Sequence, residues 1–152
     1  FCLPAKFHLT YIDSNGEEKT PVVLHRAILG SLDRFMAYLI EETMGAFPAW
    51  LAPVQVKLLT VTDRVDDYAD QAAAKLEDLG FRVESDLRNE KIGKKIREAT
   101  LEKVPYMLVM GDRDVENGTV SVRTRGGEDL GAMSLDAFAA MLKEEVDSKV
   151  IK

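Results

Sequence analysis

The sequence predicts an α/β fold in which helices flank a mixed, mostly parallel sheet as a three-layer domain. From residue 54 onward, apolar stretches of strand length alternate with stretches of helical apolar period. Such alternation is typical of parallel strands joined by right-handed helical crossovers. A Glu116-Asn117-Gly118 turn ahead of an alternating stretch adds one antiparallel hairpin strand. With 152 residues, of which 46% are apolar and 30% charged, the chain can build a genuine core.

Residues 1–48 predict a β-hairpin followed by a helix. Residues 7–12 alternate apolar and polar, residues 13–16 form a turn, and residues 19–25 are extended. Gly30-Ser31 opens a helix that runs to about Met44, where Gly45 and Pro48 end it. We therefore expect one unit over residues 1–48 and a domain over residues 49–152. Between them, residues 46–53 hold two prolines and the only tryptophan and predict a linker.

The second domain is predicted to contain four strands and three helices. The strands are residues 54–61, 81–84, 106–111 and 119–125. Asp63 caps the first helix, which carries apolar residues at helical spacing and closes at Gly80, and residues 91–103 form the second. Ser134 caps the last helix, with Phe138 and Leu142 among its inward residues.

Composition excludes several classes of protein. The single cysteine, Cys2, cannot form an internal disulfide, so we expect a reducing, cytoplasmic setting. No apolar run approaches the length of a membrane span, and no membrane partner is expected. The segment GDRDVENG lacks the spacing of a calcium loop, and Arg125-Gly126-Gly127 is a turn rather than a phosphate-binding loop.

Charge is distributed unevenly along the chain. The net charge is −6, yet residues 88–103 hold six basic and three acidic groups, a local charge of +3. This asymmetry predicts either a basic face for nucleic acid on an acidic body or a solvated helix with i,i+4 ion pairs. Without further information the two interpretations carry similar weight.

Two segments carry a specific resemblance to a known family. They are HRAILGSLDRF at residues 25–35 and DLRNEKIGKKIREAT at residues 86–100, the latter followed by VPYMLVMGD at residues 104–112. They resemble the end of the class II catalytic core and the anticodon-binding domain of threonyl-tRNA synthetases, and the resemblance runs along the whole chain. It implies that residues 1–48 are a catalytic-core remnant with motif 3. It also implies that residues 49–152 form an anticodon-binding domain with a five-stranded sheet.

The resemblance implies active-site roles for three residues of the first segment. Arg34 resembles the motif 3 arginine that contacts ATP, and Gly30 resembles the small residue that lets the nucleotide approach. His25 resembles the histidine that holds a catalytic zinc together with an upstream cysteine and histidine. From the residues alone, His25 is an ordinary core or edge histidine and Arg34 an exposed helix arginine.

The intact enzyme implied by this resemblance is a threonine–tRNA ligase. It uses zinc and ATP with magnesium to activate threonine and charge its tRNA, and it is a homodimer through regions outside this sequence. Because motifs 1 and 2 are missing, we expect the 152-residue chain to catalyse no adenylation and to bind no cofactor by itself.

Five further residues match positions that read anticodon bases in this family. They are Asn89, Arg97, Lys103, Asp114 and Arg123. Their amide, guanidinium, ammonium and carboxylate groups can pair with the edges of unstacked RNA bases. Two of them depart from the bacterial pattern, in which arginine is common at the Lys103 position and glutamate at the Asp114 position. From the residues alone, the alternative for Asp114 is a turn residue between Gly111 and Gly118, and Arg123 shares its strand face with Arg125.

An alternative function is a non-catalytic, synthetase-like module that binds RNA or protein. The retained set of His25, Gly30 and Arg34 argues against it, because a module without an active site has no use for these residues. We also expect Leu3, Phe7 and Leu9 to form an exposed apolar patch.

Overall fold

The computed structural model describes residues 1–151, which form two compact units divided between Ala37 and Tyr38. The first unit contains helix α1 (Cys2–Lys6), strands β1 (Tyr11–Ile12) and β2 (Glu18–Lys19), and the start of helix α2 (Leu32–Thr43). The predicted boundary between residues 48 and 49 stays a prediction. None of the helices within residues 1–151 is both long and apolar enough to cross a membrane.

In the first unit, β1 and β2 form a short antiparallel hairpin around Asp13. The Asp13 carboxylate accepts from the backbone N–H groups of Asn15, at 2.8 Å, and Glu17, at 3.0 Å, and from the Lys19 ammonium. These hydrogen bonds, the Lys19 bond foremost, lower the pKa of Asp13 below its ordinary value. The turn is thereby fixed by a single carboxylate.

The predicted second strand over residues 19–25 is wrong in extent. β2 ends at Lys19, and residues 20–27 have no regular structure. The apolar run Val22–Leu24 has no strand beside it within residues 1–37, so its backbone has no ladder to join. Its side chains are exposed, as Leu3, Phe7 and Leu9 are, in agreement with the predicted apolar patch.

The second unit is a three-layer α/β domain around a five-stranded mixed sheet, as predicted. Its strands are β3 (Val56–Thr60), β4 (Val83–Asp86), β5 (Tyr106–Met110), β6 (Thr119–Thr124) and β7 (Asp129–Ser134), in the order β4-β3-β5-β6-β7. β3 runs parallel to both β4 and β5, whereas β6 and β7 are antiparallel to their neighbours. The helices are α3 (Asp66–Asp78), α4 (Ile92–Leu101), α5 (Asp112–Asn117) and α6 (Leu135–Ser148).

Helices α3 and α6 cover one face of this sheet. Because β4 and β5 flank β3 on opposite sides, two right-handed crossovers place α3 and α4 on opposite faces. On the α3 face, alternate residues of the strands pack against small residues of α3 and against Phe138 and Leu142 of α6. The rings of Tyr106 and Phe138 meet edge to face, with centroids 5.6 Å apart. This face carries the main core.

The other face is only half covered within the described chain. Helix α4 packs over β3 and β5, where Leu59, Ala99 and Met107 form a small second cluster. On β6 the residues facing away from the main core are half-buried, and on β7 they are exposed. We name this area the open face; it is formed by Ser121, Arg123, Asp129 and Ala132.

Two elements near the open face differ from the sequence prediction. The expected turn at residues 116–118 is the end of helix α5, which stops at Gly118 in the left-handed region, with φ 64°. Strand β7 was not predicted, because a bulge interrupts its alternation. Val122 lies opposite Gly131 and Arg123 opposite Asp129, so Leu130 is the extra residue, and Gly131 has φ 80°.

A buried lysine joins α4 to the ends of two strands. Lys95 is 1% exposed, and its ammonium donates to the carbonyl oxygens of Thr60 and Asp86, each at 2.9 Å, and to the Thr60 hydroxyl at 3.2 Å. A lysine ammonium has three donors, so all of them are satisfied. The Asp86 carboxylate lies 4.0 Å away and supplies a nearby opposite charge.

Replacing Lys95 with methionine should destabilise the domain strongly. Met keeps the aliphatic stem but takes the ammonium donor from two carbonyl oxygens, of which that of Asp86 keeps only a long bond of 3.4 Å from the Thr60 hydroxyl. Each unsatisfied buried group costs about 1–3 kcal/mol. We expect a loss of about 2–5 kcal/mol in the free energy of unfolding, measured by urea denaturation. Lys94→Met is the control, because Lys94 is exposed in the same helix and should change the unfolding midpoint little. Equal midpoints for the two variants would contradict the role of Lys95.

The carboxylate of Asp86 is buried and held by Arg88. It accepts from the Arg88 backbone N–H at 3.2 Å, from Nε at 2.9 Å and from Nη2 at 2.6 Å. The Arg88 side chain is the main reason that the pKa of Asp86 lies below its ordinary value of 3.8. A carboxyl group whose pKa is lower in the folded than in the unfolded state stabilises the fold above the unfolded value. This contribution is lost as the pH falls through the folded value.

Asp86→Asn should therefore reduce the fall in the free energy of unfolding that occurs as the pH is lowered. At pH 7 we expect the variant to lose about 1–3 kcal/mol of unfolding free energy, the size of a charged hydrogen bond. The difference from the unsubstituted chain should shrink as the pH falls below about 4, because the Asp86 carboxyl of the unfolded chain then takes up a proton while the folded one stays charged down to its lower pKa. Urea titrations at several pH values measure this difference, with exposed Asp70→Asn as the control. A difference that stays constant down to pH 2 would refute it.

Candidate nucleic-acid interface

Arg123 lies at the centre of the open face. It sits opposite Met107 of β5, a residue of the α4-side cluster, so its side chain points away from the main core. The guanidinium donates to the Asp129 carboxylate at 3.1 Å, and its side chain is 39% exposed. The backbone N–H of Gly131 and then Arg123 lower the pKa of Asp129. The β7 bulge thus supplies a counter-ion that holds Arg123 without burying it.

Both carboxylate oxygens of Asp114 accept hydrogen bonds within the domain, unlike those of a side chain that is free to contact RNA. One carboxylate oxygen accepts from the Gly111 backbone N–H at 3.0 Å and caps helix α5. The other accepts from the hydroxyls of Ser121 at 3.1 Å and Thr119 at 3.4 Å. Asp114 therefore has a structural role, but as a capping residue inside a helix rather than as the turn residue that the sequence suggested. The same bonds bring the carboxylate to Ser121, two residues along β6 from Arg123.

Asn89, Arg97 and Lys103 lie before, on and after helix α4. Asn89 is exposed in the loop after β4, at the carboxyl edge of the parallel strands, where Asp114 also lies. Arg97 follows buried Lys95 by two residues, about 200° around the helix, so it lies on the exposed side of α4.

Lys103 lies at the opposite edge of the sheet and is engaged there. It has a left-handed backbone, with φ 60°, and its ammonium donates to the carbonyl oxygen of Met44, just past the end of α2. Such a cation favourably meets the negative end of the helix dipole. Arg123 lies between the edge with Lys103 and the edge with Asn89 and Asp114. The structure thus places Asn89 and Asp114 at one edge of the sheet, Lys103 at the other, Arg123 on the open face and Arg97 on the exposed side of α4.

The basic stretch at residues 88–103 offers fewer cations than its composition suggests. Lys95 is buried, Arg88 is bonded to Asp86 and Glu98, and Lys94 pairs with Glu90 at 2.6 Å. Of the six basic groups, Lys91 and Arg97 have no ion pair or side-chain hydrogen bond within residues 1–151. The ion-paired helix is therefore confirmed for Glu90 and Lys94. The basic face for nucleic acid stays a prediction, with Lys91 and Arg97 as its unpaired cations within residues 1–151.

Arg125 does not extend the open face as a basic stripe. Its guanidinium donates to the Phe47 carbonyl oxygen at 2.5 Å, towards the linker. A cavity of about 620 Å³ lies there and is lined in part by Arg125, Tyr106 and Glu145. Burial and the hydrogen bond to Glu145 raise the pKa of Tyr106. None of the predicted site residues lines this cavity, so it is separate from the candidate interface.

The residues implied for catalysis are exposed in the first unit. His25 and Gly30 lie in irregular chain, Gly30 with φ 70°, and Arg34 lies in the first turn of α2. Within residues 1–151, no three histidine, cysteine or carboxylate side chains are grouped to hold a metal. His25 is one imidazole, and a protein zinc site needs three or four ligands, so this chain alone does not fit the zinc.

Three groups of this interface were not predicted. Ser121 could have been, because it shares the face of Arg123 by strand alternation. Asp129 could not, because strand β7 and its bulge were not visible in the sequence pattern. The pairing of Arg88 with Asp86 and Glu98 also went unseen, since it depends on where α4 lies relative to β4.

Comparison with known proteins agrees with the fold. Residues 52–145 match the family described as anticodon binding domain. Threonine–tRNA ligases of Saccharophagus degradans and Marinobacter nauticus are each 56% identical over 149 residues, covering 98% of this chain and 23% of their own length. The chain thus spans about a quarter of these relatives.

A solved structure extends the comparison to three dimensions. The crystal structure of the RNA binding domain of threonyl-tRNA synthetase from Cryptosporidium parvum has a TM-score of 0.78 and 34% identity. It covers 94% of this chain and 36% of the other. The chain therefore belongs to the anticodon binding domain family, in the form that threonine–tRNA ligases carry.

Proposed function

We propose that this chain recognises the anticodon loop of threonine tRNA as part of a threonine–tRNA ligase. The observation that carries the proposal is the half-covered sheet. Helix α4 covers β3 and β5, and the open face beside it presents Arg123 together with Ser121. The open face, bordered by helix α4, gives unstacked RNA bases a surface to pack on and polar groups that can bond to their edges.

The chemistry of the bordering groups suits base recognition. Arg123 can offer paired donors to a guanine edge, and the Asn89 amide both donates and accepts. Each good bidentate contact contributes about 1–3 kcal/mol of discrimination against a wrong base. Arg123 already meets the carboxylate of Asp129 at one nitrogen, which orients the guanidinium and leaves other N–H groups for a ligand.

The proposal for the whole enzyme follows from the relatives that this chain matches. In this proposal the intact ligase activates threonine with ATP and transfers it to tRNA in the cytoplasm, as a homodimer through regions outside this sequence. Arg34, Gly30 and His25 contribute to that active site, His25 to a zinc whose other ligands lie outside this sequence. In this proposal the 152-residue chain binds RNA and catalyses no step alone.

Titration with a synthetic threonine tRNA anticodon stem-loop tests anticodon recognition directly. The chain should bind this loop more tightly than one whose second and third anticodon bases are exchanged. Arg123→Ala should weaken binding of the first loop about 5–100-fold, the loss of one base contact, and bring its affinity towards that of the second. Fluorescence anisotropy at a fixed salt concentration measures all four combinations.

Lys143→Ala is the matched control, because Lys143 is an exposed cation on α6, across the sheet from the open face. It should leave both affinities unchanged. Equal binding of the two loops, or no binding, would reject anticodon recognition. In that case the chain is a synthetase-like module for another partner.

A further inference from the structure

The loop that carries Asn89 is fixed at both ends by side chains. At its start, the Asp86 carbonyl oxygen is held by Lys95 at 2.9 Å and by the Thr60 hydroxyl at 3.4 Å. At its end, Glu90 pairs with Lys94 at 2.6 Å. Between them, Leu87 packs against the main core. The loop therefore has little freedom of its own.

Asn89 stands at the centre of a tight turn in this loop. The Glu90 backbone N–H donates to the Arg88 carbonyl oxygen at 2.8 Å, which closes a three-residue turn around Asn89. Its side chain is exposed and forms no hydrogen bond within residues 1–151. An amide presented in this way keeps both its donors and its acceptor for a ligand.

Arg88 connects this turn to two rigid elements. Its Nε and Nη2 atoms meet the Asp86 carboxylate at 2.9 and 2.6 Å, and Nη2 also lies 2.6 Å from the Glu98 carboxylate on α4. The Asp86 side chain is 4% exposed, so one end of the connection is anchored inside the domain. A bidentate arginine–carboxylate pair fixes orientation as well as distance.

We propose that Arg88 is a positioning residue for Asn89: it clamps the turn between Asp86 and Glu98 so that the Asn89 amide faces the RNA base in one orientation. The inference rests on the proposed function. It assigns Arg88 to selectivity, although an arginine in a basic stretch would otherwise suggest a phosphate contact. Both carboxylates hold the guanidinium away from that task, because a phosphate would have to displace them.

The clamp is tested first without RNA. In Arg88→Met the ¹⁵N{¹H} heteronuclear NOE values of residues 87–91 should fall, which reports new motion on the picosecond to nanosecond timescale. Lys75→Met is the matched control, because it breaks an ion pair with Asp136 on the α3 face and leaves this loop untouched. NOE values that stay at the unsubstituted level in Arg88→Met overturn the clamp.

The effect on recognition is tested with anticodon stem-loops that each carry one changed base. Arg88→Met should lose about 5–10-fold in affinity for the unchanged loop and little for the loop altered at the base that Asn89 contacts. Asn89→Ala should give the same pattern, and the double variant should be no weaker than Asn89→Ala alone. The salt dependence should stay as in the unsubstituted chain, because no phosphate contact is lost.

The outcomes separate the two proposals. Additive losses in the double variant, or a salt slope lowered by about one, show that Arg88 contacts the RNA itself and overturn its positioning role. Equal losses for every loop show a merely structural role and overturn it as well. An unsubstituted chain that ignores all stem-loops rejects the proposed function and this inference together. A chain that discriminates loops through Arg123 while Arg88→Met keeps full selectivity rejects this inference alone.

Discussion

The ammonium of Lys95 holds together the part of the domain on which the rest is built. It donates to the last carbonyl oxygens of β3 and β4 and ties them to the helix that crosses above. A hydrophobic residue could fill the same volume but could not donate to those oxygens. Because the charge is buried, it tolerates few positions, and this fixes where α4 begins relative to the sheet.

Once α4 is fixed over β3 and β5, its two flanks have different surroundings. The flank towards β4 is lined by ion pairs: Arg88 with Glu98, and Lys57 with Glu102 at 2.5 Å. The flank towards β6 borders the open face, and Arg97 is exposed on this helix without an ion pair within residues 1–151. In this acidic chain, most cations near α4 are thus neutralised by partners and only single ones such as Arg97 keep their charge available. Net charge describes such a surface poorly, whereas the partners of each cation describe it well.

The sequence pattern predicted the α/β class, the parallel strands and the three long helices, because each is set by local periodicity and by capping residues such as Ser134. The sequence pattern did not predict the strands correctly where pairing with distant residues determines whether a strand forms. The run Val22–Leu24 reads as a strand, yet within the first unit it has no neighbour with which to pair. Strand β7 has no β-branched residues and contains a bulge, so its pairing with β6 comes from its position in the fold rather than from strand propensity.

For the interface, residue type indicated candidates such as Asn89 and Asp114. In the structure these two residues differ. The Asn89 amide forms no hydrogen bond within the described chain, whereas the Asp114 carboxylate caps helix α5.

The bulge at Leu130 shifts the pairing register of β7 by one residue. Leu130 and Met133 both pack against the main core although three positions separate them, an odd step that a regular strand would send to opposite faces. The residue inserted there resets the parity and leaves Asp129 opposite Arg123. In a regular strand without the bulge, Leu130 would take the place opposite Arg123 and turn its apolar side chain towards the arginine. The bulge, as much as any residue type, thus decides whether the guanidinium has a counter-ion.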